Sequence, residues 1–173
     1  TIGKLPETLN RARGALMLFY EAKGHSESWR DEAYIRSGLN EFYSINESLK
    51  HEHKIAGFPR DALLIQHTSN PLLHLMLLMR HVNVHTQLCP ATRYETNVIV
   101  SIGEPKEYTL TVAIITDISI DQFLVKREVK KDYDINQLHE VVDWFKINQN
   151  AFGAREVFRR GVEAYCLEFL SNY

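Results

Sequence analysis

Asn70-Pro71-Leu72-Leu73-His74-Leu75-Met76-Leu77-Leu78-Met79-Arg80-His81-Val82-Asn83-Val84-His85 is the stretch on which the fold turns. Asn is a good helix N-cap, and Pro71 then occupies the first helical position, where its missing N–H costs nothing. Leu72, Leu73 and the run Leu75 to Met79 are apolar nearly all round, the pattern of a helix buried centrally rather than laid on a surface. His74, inside that run, reads as a core histidine with satisfied nitrogens. Arg80, His81, Asn83 and His85 are delivered at the helix end, and Pro90 prevents a smooth continuation.

Two amphipathic helices precede it. From about Glu7 to Lys23, Leu9, Ala12, Ala15, Leu16, Phe19 and Tyr20 recur at three-four spacing, with Gly24 as a stop. From about Trp29 to His53, Ile35, Leu39, Phe42, Ile45 and Leu49 form one stripe, with Ser28 and Asp31 resembling a capping box. Arg60 to Ser69 reads as a connector with room for a short helical turn. Downstream the period changes to two. Thr96 to Ile102 and Tyr108 to Ile118 alternate and are rich in β-branched residues, with Gly103-Glu104-Pro105-Lys106 as the turn. With Val112 to Ile115 apolar in a row, the second strand is expected to be covered on both faces near its middle.

A charged connector, Lys126 to Tyr133, leads to a last helix from about Ile135 to Leu170, N-capped by Asp134. Asn148-Gln149-Asn150 and Gly153 are placed to bend or split it. The fold class that follows is mainly α: a helical bundle with an antiparallel β-hairpin inserted at about 96–118, within one domain spanning 1–173.

Composition narrows the function. Of 173 residues, 45% are hydrophobic and 24% charged, as in ordinary globular proteins. No apolar run approaches a bilayer-spanning length and no signal-peptide pattern opens the chain, so a cytoplasmic protein with no membrane contact is expected. Cys89 and Cys166 are too few for a disulfide scaffold and lack zinc-ligand spacing. Residues 1–93 carry 11 basic and 9 acidic side chains, and residues 94–173 carry 9 and 13. Neither part has the broad basic excess of a non-specific nucleic-acid binder, so any such contact must be local. Walker, GxGxxG, GxSxG and HExxH patterns are absent, which argues against P-loop hydrolysis, Rossmann cofactors and zinc proteolysis.

The chemistry concentrates at Arg80 to His85. An imidazole gives or takes a proton near neutral pH. A guanidinium grips a phosphate through paired hydrogen bonds and stabilises charge growing on it. RNA carries its own nucleophile, the 2′-hydroxyl, so a base and an anion clamp suffice for cleavage without metal or cofactor. Positions five apart on a regular helix are rotated by about 140°. Arg80 and His85 can therefore act together only if the helix loosens near Asn83 or if two copies of the chain build the site. The bland reading is that Arg80 caps helix carbonyls and His85 is a partly buried, backbone-bonded histidine.

The Arg-x4-His pattern closing an apolar helix, Arg80-His81-Val82-Asn83-Val84-His85, resembles the signature of HEPN domains (higher eukaryotes and prokaryotes nucleotide-binding). The stretch Ala33 to Phe42 is similar to the long early helix of that family. The resemblance covers roughly Leu9 to His85 and the last helix, and leaves the hairpin as an insertion. It implies a helical core, often a homodimer, and in many members a metal-independent ribonuclease of toxin–antitoxin, anti-phage or RNA-processing systems. The motif arginine and histidine correspond to Arg80 and His85. The polar residue that commonly follows the arginine, often Asn, is His81 here.

The resulting expectation is a metal-independent endoribonuclease, a toxin or defence component, with Arg80 and His85 catalytic. His81, Asn83 and Glu41 would position substrate, no cofactor or metal would be bound, and an RNA substrate, a second copy and an antitoxin would be the partners. The alternative is a non-catalytic dimeric helical interaction or nucleotide-binding module. Secondary candidates are a metal site at Glu47, His51, Glu52 and His53, and phosphate contacts from Arg155 and Arg159, for which helix-surface ion pairs are an equal explanation.

Overall fold

The structure, a computed structural model, describes residues 5–56, 65, 68–86, 91–124, 129 and 133–171, without the side chains of 56 and 83–86. In chain order the elements are α1 (Pro6–Glu21), α2 (Ser28–Ala56), α3 (Pro71–Thr86), β1 (Ala91–Val100), β2 (Lys106–Ile115), α4 (Ile120–Leu124) and α5 (Ile135–Ser171). The fold is mainly helical with one two-stranded antiparallel hairpin, as the two periodicities require. The short α4 was not legible from spacing. The Arg60 to Ser69 connector lies largely outside the described residues, as does most of the Lys126 to Tyr133 segment.

The core is one cluster. Ile35, Leu39, Phe42, Ile45 and Leu49 of α2 are buried as their stripe requires, and every residue from Leu75 to Met79 of α3 is buried. Aromatic rings join the outer helices: Phe19 of α1 lies 5.2 Å from Phe158, which stacks on Phe145 at 5.3 Å. Tyr165 of α5 meets Phe42 edge-on at 5.7 Å. Among the described residues, no helix is long and apolar enough to cross a membrane.

Local caps behave as read at two helices. Asn70 Oδ1 accepts the Leu72 N–H at 3.0 Å. Asp134 Oδ1 accepts from Asn136 at 2.8 Å, while Gln137 Oε1 accepts the Asp134 N–H at 3.2 Å, a reciprocal box. The Ser28–Asp31 box does not form. Ser28 lies inside α2, and the buried Asp31 carboxylate turns back to accept from the Gly24 and His25 N–H groups and from His25 Nδ1.

α1 opens on Leu5, which supplies no side-chain cap. Its free amides go instead to Glu52, from the far end of α2. The carboxylate accepts from the N–H groups of Glu7 and Thr8 at 2.8 and 3.1 Å and from Thr8 Oγ1 at 2.5 Å. A carboxylate at a helix N-terminus is favoured by the dipole and by unmet donors. Glu52→Ala should therefore cost about 1–3 kcal/mol, lowering the melting temperature by several degrees. An unchanged melting curve would show that water serves the amides equally well.

The hairpin differs in extent from the 96–118 reading. β1 starts at Ala91, and the register pairs Ala91 with Ile115 and Val100 with Lys106. Residues 91–95 are polar and mixed, so they carry little period of their own; pairing with the buried 111–115 segment makes them extended. The turn spans 101–105, and Ile102 sits in it, 90% exposed. Val112, Ala113 and Ile115 are buried, so β2 is covered on both faces only at its C-terminal end. There Gln149 of α5 completes the strand, accepting the Ile115 N–H and donating to the Ile115 carbonyl, each at 2.8 Å. α5 bends at Gly153, as expected for that stretch.

Candidate functional site

Arg80 occupies the penultimate turn of α3, against α2. Its Cζ lies 4.0 Å from the ring centroid of Tyr43, a cation–π contact. Its Nε is buried and has no hydrogen-bond partner among the described residues. His81, the next residue, meets the same tyrosine ring edge-on at 6.1 Å. Tyr43 thus sits between the two side chains that open the Arg-x4-His stretch.

A polar network braces the neighbouring turn of α2. Burial pushes the Glu47 carboxyl up, but hydrogen bonds from Lys50, Tyr43 and Asn46 outweigh it and leave Glu47 below the usual carboxylate range. Lys50 Nζ stands 2.8 Å from Glu47. Asn46, itself buried, accepts from the Ile65 N–H at 3.2 Å and the Tyr165 hydroxyl at 3.1 Å. This network restrains the α2 turn that presents Tyr43 to Arg80.

α2 and α3 run antiparallel. Asn46 bonds Ile65 ahead of α3, Tyr43 meets Arg80 and His81 within it, and Glu32 accepts the Ala91 N–H beyond it at 3.2 Å. Positions 32, 36, 43 and 47 of α2 fall on one helical face. Arg36 is therefore level with the C-terminal turn of α3, where His85 stands. Its Nε is also buried without a hydrogen-bond partner among the described residues.

The remaining expected site residues divide. α3 continues as α-helix through Asn83 and His85 to Thr86, so the loosening near Asn83 is not adopted. The side chains of Asn83 and His85 lie outside the described residues. Glu41 is turned away from Tyr43, towards α1, where both carboxylate oxygens lie 3.3 Å from Arg11 Nη1. It orients neither Arg80 nor α3. Tyr43 stands against Arg80 where Glu41 was expected, and Arg36 shares its face of α2. A helical wheel of α2 carried that signal, because positions 36 and 43 are seven apart and share a face.

Among the described residues, no three His, Cys, Asp or Glu side chains are grouped to hold a metal. Glu52 is engaged by α1, and His51 is exposed at the end of α2. His74 has both ring nitrogens satisfied, as expected, but is half-buried rather than in the core: Nε2–H donates to the Thr68 carbonyl and Nδ1 accepts from the Tyr133 hydroxyl, each at 2.7 Å. Arg159 is held by Glu156 and Glu163, and Arg155 donates to the Tyr20 carbonyl at 3.2 Å. Cys89 lies outside the described residues. Burial and the nearby Glu163 push the Cys166 thiol up to about 11, so it is protonated at neutral pH.

No protein-family model, no curated protein and no solved structure matches this chain.

Proposed function

We propose that this chain is a metal-independent endoribonuclease of the HEPN type, a cytoplasmic homodimer acting as a toxin or defence component, with an antitoxin as its partner. The observation that carries the reading is Arg80. A guanidinium fixed over Tyr43 with a buried, unmet Nε is preorganised to receive an anion at the end of the helix that bears His85. Orphaned buried donors cost free energy, about 1–3 kcal/mol each, and a phosphate oxygen in hydrogen-bond reach would recover it.

In the reaction, His85 takes the proton of the RNA 2′-hydroxyl, or a histidine returns one to the leaving oxygen. The 2′-oxygen bonds to phosphorus and the bond from phosphorus to the 5′-oxygen breaks. The products are a 2′,3′-cyclic phosphate and a 5′-hydroxyl. Arg80 steadies the phosphate, and His81 and Asn83 position the chain. The roughly 140° between positions 80 and 85 on an unbroken helix favours a site completed by a second copy.

A second reading, a non-catalytic interaction module, draws on the distal hairpin, where Ile99, Ile102, Tyr108 and Leu110 are exposed. One experiment separates them: the purified protein is incubated with a mixed RNA pool, with and without EDTA, and its mass is taken by light scattering. Cleavage that survives EDTA and leaves 2′,3′-cyclic ends, from a particle of dimer mass, is expected. No cleavage at any salt or pH leaves the interaction module standing. Activity lost on chelation points to a metal, with Glu47 and His51 the first residues to substitute.

A further inference from the structure

We infer that Arg36 is a second phosphate contact on the α2–α3 seam, so that the site holds two phosphates of one RNA strand; this rests on the ribonuclease reading. Three observations carry it. Arg36 and Arg80 are the two arginines with a buried Nε that lacks a hydrogen-bond partner among the described residues. Other arginines close to carboxylates are paired: Arg11 with Glu7 and Glu41, Arg159 and Arg160 with Glu156. Arg36 has Glu32 one turn before it on the same helix, yet among the described residues no ion pair joins them, and Glu32 is engaged instead by the Ala91 N–H.

The second observation is direction. Arg36 shares a face of α2 with Tyr43, the residue on which Arg80 rests, and that face meets α3 at Tyr43. The third is spacing. Seven residues of helix separate Arg36 from Tyr43, on the order of 10 Å along α2. A spacing of that order along the helix suits two phosphates of one strand running along the seam. The reacting phosphate lies at Arg80, and the Arg36 phosphate lies toward the C-terminal end of α3. A local pair of cations of this kind binds RNA without the broad basic face that the chain lacks.

The test uses a short 2′-O-methyl RNA, which has no free 2′-hydroxyl and is not cleaved. Its binding is followed by fluorescence anisotropy over a salt series. Each neutralised phosphate of a single strand contributes about −0.7 to the slope of log K against log salt. Arg36→Ala should weaken binding about tenfold or more and make the slope shallower by about 0.7. Arg36→Lys should keep the wild-type slope, since the charge remains, yet bind more weakly, since the Nε donor is gone. A merely structural arginine would not separate affinity from slope in this way. Arg11→Ala, on the other side of α2, should change neither quantity. Wild-type binding with Arg36→Ala unchanged in both overturns the inference and leaves the ribonuclease reading intact. Binding that follows the expected pattern, with no cleavage of unmodified RNA, keeps the two-phosphate seam and removes the ribonuclease. No RNA binding by the wild type at low salt overturns both.

Discussion

His85→Ala should lower the single-turnover rate of RNA cleavage by about 10²–10⁴-fold, the usual contribution of a positioned proton-transfer group, while RNA affinity changes little. The reason is a division of labour. In the proposed reaction the charge that holds the phosphate resides on Arg80, and on Arg36 by the inference above, whereas the imidazole acts only as the proton moves. Arg80→Ala should behave differently, weakening binding and chemistry together, because its guanidinium meets the phosphate both before and during bond exchange. Arg80→Lys should not restore the wild type, since an ammonium lacks both the paired donors and the flat face that rests on Tyr43. The measurement is cleavage rate and RNA affinity for the three variants, with melting curves alongside. Loss of activity in His85→Ala that follows its loss of folded protein would defeat the catalytic assignment.

Gly153→Ala should destabilise the fold by about 2–6 kcal/mol. Gly153 has φ 80° and ψ 163°, in a region of backbone space that only glycine occupies readily. An alanine there carries a torsional penalty of about 1–3 kcal/mol. Its Cβ would also stand 2.8 Å from Val112 Cβ and 3.1 Å from the Ala113 carbonyl oxygen, and overpacking of that kind adds about 1–3 kcal/mol. For a domain of this size the melting temperature should fall by about 10 °C. Adding Val112→Ala should recover little, because alanine keeps the Cβ at 2.8 Å and the Ala113 carbonyl stays where it is. A Gly153→Ala protein that melts with the wild type would mean that the kink between the two halves of α5 is not required.

That kink explains why the hairpin stands where it does. Gly153 brings the α5 backbone against Val112, four residues after Gln149 closes the Ile115 end of β2. The buried third of the hairpin is thereby clamped to the last helix, while its distal part projects with Ile99 and Ile102 exposed. The alternation of Tyr108 to Ile115 and the bend near Gly153 were both legible in the sequence. Their mutual contact was not, because glycine's positive φ and the strand's burial are separated by some forty positions.

The candidate site was legible in the same uneven way. The helix that ends in Arg80 to His85 follows from Asn70-Pro71 and an apolar run, and it forms as those residues dictate. Glu41 was read toward the site because Glu amid an apolar stripe invites it, but the polar partner it meets is Arg11. Tyr43 and Arg36 passed unremarked, since their surroundings depend on α3 lying against that face of α2.

By itself the sequence determined the features whose causes lie within about four residues: the helical and strand periods, the Asn70 and Asp134 caps, and the bend at Gly153. Only the tertiary structure decided where buried polar groups find partners. Glu52 caps α1 across 45 positions, Gln149 finishes β2 across 34, and Tyr43 meets Arg80 from another helix. The physical reason is that backbone periodicity and capping arise from neighbours fixed by covalent geometry. A buried donor or charge, by contrast, must be satisfied by whatever the packed fold brings within 3 Å of it.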